Sequence, residues 1–184
     1  VDVRDAEGWR ELRNCLLSAR GDDIQREAMS QLAMDLSGVH QDCWRFFEEL
    51  FLAPPRVSTV RVLSRRLEVL PSTLMSRFFR AKLPAPKQYL ATARLVRAAR
   101  LFENPGFSVA NIANHLDYSS PQSFGRHVRT LMSMTAVQFR ERYDGGGMLQ
   151  HFREVLVFPH LQQLRHLRPL TPSWAASYAR GMIH

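Results

Sequence analysis

Residues 59–79, TVRVLSRRLEVLPSTLMSRFF, and residues 108–128, SVANIANHLDYSSPQSFGRHV, can be laid one over the other. Val60 falls on Val109, Leu63 on Ile112 and Leu67 on Leu116. The first copy then has a turn one residue shorter, after which Pro71 falls on Pro121, Leu74 on Phe124 and Phe78 on Val128. The register persists to Tyr89 and Phe139, each eleven residues further on. Apolar positions held in step over this length mark an internal repeat, and a repeat is one supersecondary unit built twice.

Each copy reads as a helix-turn-helix. In the second, Ser108 caps a helix running to about His115, with Val109, Ile112 and Ala113 facing inward. Leu116-Asp117-Tyr118 turns the chain, since Asp tolerates the left-handed conformation better than most residues. Ser119 or Ser120 caps the next helix, with Pro121 in its first turn, where a missing N–H is harmless. Phe124, Val128 and Leu131 anchor that helix, leaving Gln122, Ser123, Arg126 and Arg129 on its other face. The first copy divides the same way: Leu74, Met75, Phe78 and Phe79 form the apolar side, and Ser72, Thr73, Ser76, Arg77 and Arg80 the polar one.

Between the copies, Pro86 to Asn104 is rich in the good helix formers Ala, Leu and Arg and is ended by Asn104-Pro105-Gly106. Leu90, Arg94, Ala98 and Leu101 share a stripe, while Arg97 and Arg100 point elsewhere. A rigid connector of this length fixes the spacing and angle of the two second helices. Upstream, three amphipathic helices are expected. Trp9, Leu12, Leu16 and Ala19 share a face ended by Gly21; Ile24, Ala28, Leu32 and Leu36 follow a cap at Asp22 or Asp23 and end at Ser37-Gly38; Trp44, Phe47, Leu50 and Phe51 follow Gln41 and are broken by Pro54-Pro55. They form either a docking or dimerisation module or structural padding. Past Tyr143, Asp144-Gly145-Gly146-Gly147 reads as a flexible break. Short helical runs are expected at about Met148–Val155 and Leu161–Leu167, before Pro169, Pro172 and a tail. The expected fold is all-α: two helix-turn-helix subdomains joined by a long connector helix, with extra helices at both ends. The expected division is 1–55 for the N-terminal segment, 56–143 for the double helix-turn-helix, and 144–184 for linker and tail.

The 184 residues carry a net charge of +8, distributed unevenly. Residues 1–56 hold 7 basic and 11 acidic side chains, residues 57–143 hold 14 and 4, and residues 144–184 hold 4 and 2. Charge concentrated on the repeat block implies a polyanionic partner, with a merely solvated basic surface as the bland alternative. The two cysteines, Cys15 and Cys43, show neither a CxxC nor clustered histidines, so two buried thiols in a reducing cytoplasm are expected. No run of 18 apolar residues is present, so no membrane partner is expected. VDVRDAEGWR lacks the pattern of a secretory signal, and a start at Val1 reads as an excised or processed piece. His151, His160 and His166 lack metal-type spacing, and the glycine tract has neither a preceding strand nor a following Lys for a phosphate-cradling loop. Met132 and Met134 read as core filler. Neither a catalytic constellation, nor a metal site, nor a cofactor is expected, and the chain is not read as an enzyme.

Pro86-x-x-Tyr89-Leu90, Arg94-Leu95-x-x-Ala98, Ser108-Val109-x-x-Ile112-Ala113, Ser123-Phe124-x-Arg126 and Thr135-x-x-x-Phe139-Arg140 together resemble the DNA-binding domain of the AraC family of bacterial regulators. The resemblance covers about residues 57–143. The family usually has Gly where this chain has Asp117, and Gly and Pro where it has Ser133 and Ala136. What the resemblance implies is a monomeric seven-helix domain that sets two recognition helices into successive major grooves of double-stranded DNA. Base contacts would fall on Ser72, Thr73, Ser76 and Arg77, and on Ser120, Gln122, Ser123 and Arg126, with Ser119 beside them. Arg suits guanine O6 and N7 and Gln suits adenine N6 and N7, so Arg126 and Gln122 are the expected base readers of the second site, with Arg77 their equivalent in the first. Arg61, Arg65, Arg80 and Arg129 are expected on phosphates. RNA polymerase, and a homodimer or partner protein held through residues 1–55, are further candidate partners, and the nucleoid in the cytoplasm is the expected location. The rival reading is a protein-interaction module that kept the fold without specific DNA binding.

Overall fold

The computed structural model describes residues 23–52 and 59–170, and all regular structure in them is helical. Residues 23–35 form α1, followed by α2 (Gln41–Leu52), α3 (Val60–Arg66), α4 (Pro71–Arg80), α5 (Pro86–Phe102), α6 (Val109–His115), α7 (Pro121–Met132), α8 (Ala136–Arg142) and α9 (Gly145–Phe152). A π-turn segment (Arg153–Val157) and a 3₁₀ turn (Phe158–His160) then lead into α10 (Leu161–His166). The expected helix around Trp9, the break at Pro54-Pro55, Cys15 and the tail from Pro172 lie outside the described residues.

The repeat is legible in the backbone. α3 and α4 form one helix-turn-helix and α6 and α7 the other. Thr59 Oγ1 accepts from Val62 N at the start of α3, and Ser108 Oγ from Asn111 N at the start of α6. Both first helices close with matching bonds: Leu67 N to Leu63 O and Leu116 N to Ile112 O, then Val69 N to Ser64 O and Tyr118 N to Ala113 O. The residue that reverses the chain is left-handed in both, Glu68 at φ 57° and Asp117 at φ 59°. α4 and α7 also both end at a left-handed residue, Lys82 and Ser133. The residue missing from the first turn has a local consequence. Ser120 caps α7 through Ser123 N, whereas α4 starts after Leu70, which offers no capping side chain, and relies on Pro71 to set its first turn.

α5 runs between the two units with thirteen of its seventeen residues buried, so it has no solvent stripe. Its arginines tie it to both sides. Arg94 donates to Leu116 O at 2.6 Å and stacks on the Tyr118 ring, 3.9 Å from its centroid, which fixes the turn of the second unit. Arg97, expected to point away from the packed stripe, is only 4% exposed and donates to Leu50 O and Phe51 O, 3.3 and 2.5 Å away. It thereby caps the C-terminal end of α2 from a neighbouring helix.

The sequence outside the repeat completes the same core. Phe46 of α2 lies 4.9 Å from Phe78 and 5.7 Å from Tyr89, and Phe152 of α9 lies 5.1 Å from Phe51 and 6.2 Å from Tyr89. The Tyr89 hydroxyl donates to Leu156 O at 3.0 Å, and Arg153 makes a two-pronged pair with Asp35 at 2.5 and 2.8 Å. The apolar face expected for α1, Ile24, Ala28, Leu32 and Leu36, is buried in this core, and so is Cys43. The glycine tract is not a flexible break. Asp144 caps α9 through Gly147 N at 2.6 Å, and Gly145 begins the helix directly against α5. A Cβ on Gly145 would lie 3.0 Å from Arg100 Cβ, and Gly145 N donates to Glu103 Oε1 at 2.8 Å. Absence of a side chain here permits close helix approach.

Candidate nucleic-acid interface

The buried side of α7 rests on Phe124 and Val128, and Tyr118 meets Phe124 edge-on at 5.2 Å. Tyr118 is also hydrogen-bonded to His127 Nδ1. Burial pushes the Tyr118 hydroxyl up to about 12 and His127 down to about 4, the latter helped by the charges of Arg94 and Lys87. His127 is therefore neutral near pH 7 and acts as a fixed prop between α7 and the turn before it.

The outward side of α7 carries Gln122, Arg126 and Arg129, all exposed. The serines at its start have a different duty. Ser120 Oγ accepts from Ser123 N, Ser123 Oγ accepts from Ser120 N, and Ser119 Oγ donates to Ser123 Oγ, each at 3.1 Å. Their hydroxyls hold the first turn that aims Gln122 and Arg126.

On α4, Ser72, Ser76 and Arg80 are exposed, and Thr73 and Arg77 are half-buried. Arg77 donates to Arg168 O at 2.9 Å, and burial first, then the charge of Arg80, holds its guanidinium below the usual range. Carrying the Pro71/Pro121 register along both helices pairs Ser72 with Gln122, Ser76 with Arg126, Arg77 with His127 and Phe79 with Arg129. Arg77 thus occupies the flank that His127 occupies in the second copy, and Ser76 holds the central position of Arg126.

Two residues expected on the apolar side of α4 are not there: Met75 is 52% and Phe79 83% exposed. Leu74 and Phe78 alone define the buried direction of α4, and Phe79 lies a further 100° round the helix. The repeat register contained this signal, because Phe79 aligns with an arginine. Lys87, which sequence reasoning passed over, stands exposed on the first turn of α5 and lines a groove of about 540 Å³ with Gln88, Ser123, Arg126, His127 and Thr130. A second groove of about 440 Å³, lined by Thr59, Val60, Lys87, Arg94, Tyr118 and His127, runs toward the first unit.

Among the described residues no group of three or more His, Cys, Asp or Glu side chains could hold a metal ion, and no helix is long and apolar enough to cross a membrane. A comparison with family models matches residues 63–142 to a helix-turn-helix domain. The matched span runs from inside α3 to the last turn of α8 and so contains both second helices and the connector. Searches of curated proteins and of solved structures give no match. The repeated units, the buried connector and the family match agree, and residues 63–142 are a DNA-binding helix-turn-helix domain of the AraC type.

Proposed function

We propose that this chain is a sequence-specific transcription regulator that lays α4 and α7 into successive major grooves of one DNA duplex. The observation that carries the proposal is the pair of helix-turn-helix units held on a single buried helix, each turning outward exposed hydrogen-bonding side chains and an exposed arginine, Ser72, Ser76 and Arg80 on α4 and Gln122, Arg126 and Arg129 on α7. In this reading Arg126 reads guanine and Gln122 adenine through paired hydrogen bonds. Ser72, Thr73 and Ser76 supply single hydrogen bonds in the first groove, and Arg77, anchored on Arg168 O, contributes from the flank. Ser119, Ser120 and Ser123 aim α7. Arg61, Arg65, Arg80, Arg129 and Lys87 neutralise phosphates, which gives affinity and orientation without sequence information. The activity is binding, with no chemical step, and the setting is the cytoplasmic nucleoid. Residues 56–143 form the reading unit, with residues 1–55 and 144–184 as its flanks. The N-terminal flank is the surface for dimerisation or a partner protein, and RNA polymerase is a downstream partner.

The test is the salt dependence of duplex binding by the full chain, because Phe46 and Phe152 complete the core around Tyr89. Log affinity should fall with log salt at about −0.9 per phosphate contacted. A flat response, or no binding at low salt, would favour the protein-interaction module instead.

A further inference from the structure

We infer that Phe79, flanked by Met75, reads the methyl groups of thymine, so that the half-site under α4 is recognised by apolar contact and the one under α7 by hydrogen bonds. The inference rests on the DNA-binding reading above and assigns chemistry within it.

Ser72, Ser76, Phe79 and Arg80 follow one another at helical spacing on the outward side of α4, opposite Leu74 and Phe78. A phenyl ring left 83% exposed at the edge of that side, next to the central Ser76, forgoes the burial that drives folding, and Met75 beside it is 52% exposed. The aligned positions on α7 are Arg129 and Gly125, and a Cβ on Gly125 would meet nothing within 4 Å. The same scaffold therefore presents an apolar ridge in one copy and a bare, cationic surface in the other.

Charge selects the occupant. α4 carries Arg77 and Arg80 and no acidic side chain, within a block of 14 basic and 4 acidic residues. A second copy docked through this face by two-fold symmetry would bring like-charged arginines together. A nucleic acid groove supplies the opposite charge from its phosphates, and the thymine C5-methyl is the apolar group that the major-groove edge of a base pair offers. Ser72 and Ser76 alongside can donate to or accept from neighbouring base edges.

The experiment starts from a duplex that the full chain selects from a random pool. Each thymine is then replaced singly by deoxyuridine, which deletes the C5-methyl and keeps base pairing. One or two replacements should each lower wild-type affinity about three- to fourfold, the worth of one buried methyl-sized group. Phe79→Ala should bind the thymine and deoxyuridine duplexes equally, and Phe79→Leu should keep part of the difference. Phe79 is so exposed that neither change touches the core, which circular dichroism verifies. Arg126→Ala should weaken binding to the thymine and deoxyuridine duplexes alike, leaving the ratio between them unchanged. Salt-dependent binding in which no thymine is sensitive overturns this inference and leaves the DNA reading standing. So does a Phe79→Ala variant that keeps the full difference. Absence of duplex binding removes both. Self-association that Phe79→Ala abolishes, without methyl dependence, would assign the face to a second copy.

Discussion

Arg94, Arg97 and Arg126 have one side chain and three surroundings. Arg126 is exposed, Arg94 is stacked on Tyr118, and Arg97 is buried on the carbonyls that end α2. Spacing along α5 separated Arg97 from the packed stripe, but spacing cannot tell that a helix is covered on most of its circumference beyond the first turn. Arg97→Ala should therefore destabilise the chain by about 1–3 kcal/mol, since the last carbonyls of α2 would lose a charged donor in a dry site. Arg126→Ala should stay within about 0.5 kcal/mol in denaturant unfolding. Equal midpoints for the two variants would contradict the buried role of Arg97. His127 is legible only in three dimensions, where Tyr118 and Arg94 surround it. Its folded value of about 4 lies below the unfolded value of 6.5. Between those values the unfolded chain binds more protons than the folded one, so stability falls as pH drops through that window. His115, lowered by burial and the charge of Arg97, adds the same sign. Melting temperature should fall from pH 6.5 to pH 4, and His127→Gln should flatten that fall. Parallel profiles for variant and parent would show that His127 protonation is not coupled to folding.

Among the elements, local signals were dependable where the chemistry was local. The caps at Ser108 and Ser120, the proline starts at Pro71, Pro86 and Pro121, and the left-handed Asp117 all stand as their residue types dictate. The glycine tract misled because composition reports conformational freedom and is blind to what presses on the chain. Gly145 and Gly146 separate the two meanings of glycine. A methyl on Gly145 would meet Arg100 Cβ at 3.0 Å, while on Gly146 the nearest atoms lie 3.8 Å away. Gly145→Ala should cost about 1–3 kcal/mol as overpacking against α5. Gly146→Ala should stabilise α9 by about 0.5–1 kcal/mol by reducing unfolded-state freedom. Urea unfolding of both variants distinguishes the cases; in a flexible break the two changes would be alike and small.

At the scale of the molecule, the charge blocks suggested three successive pieces, yet α1, α2, α9 and the π-turn segment all close on the core that α5 runs through. Charge and glycine content describe the surface and the backbone, and neither records which aromatic side chains meet. That single core alters how the two-groove proposal should be tested. Ala98 is fully buried in α5, so a proline there would disrupt the core along with the connector and would say little about spacing. The DNA can be altered instead. Successive major grooves lie about 34 Å apart, one helical turn of about 10 base pairs. Five base pairs inserted between the half-sites rotate one to the opposite face of the duplex. Ten restore the face but double the distance. Two heads fixed on a buried helix should fail at both insertions, each dropping affinity to that of one head alone, which a duplex carrying a single half-site measures directly. Heads joined by a yielding tether would recover at ten base pairs, because the correct face is again within reach. Recovery at ten would thus contradict a rigid connector. Indifference to both insertions would mean that one helix reads the DNA, and the exposed Gln122, Arg126 and Arg129 favour α7 as that helix.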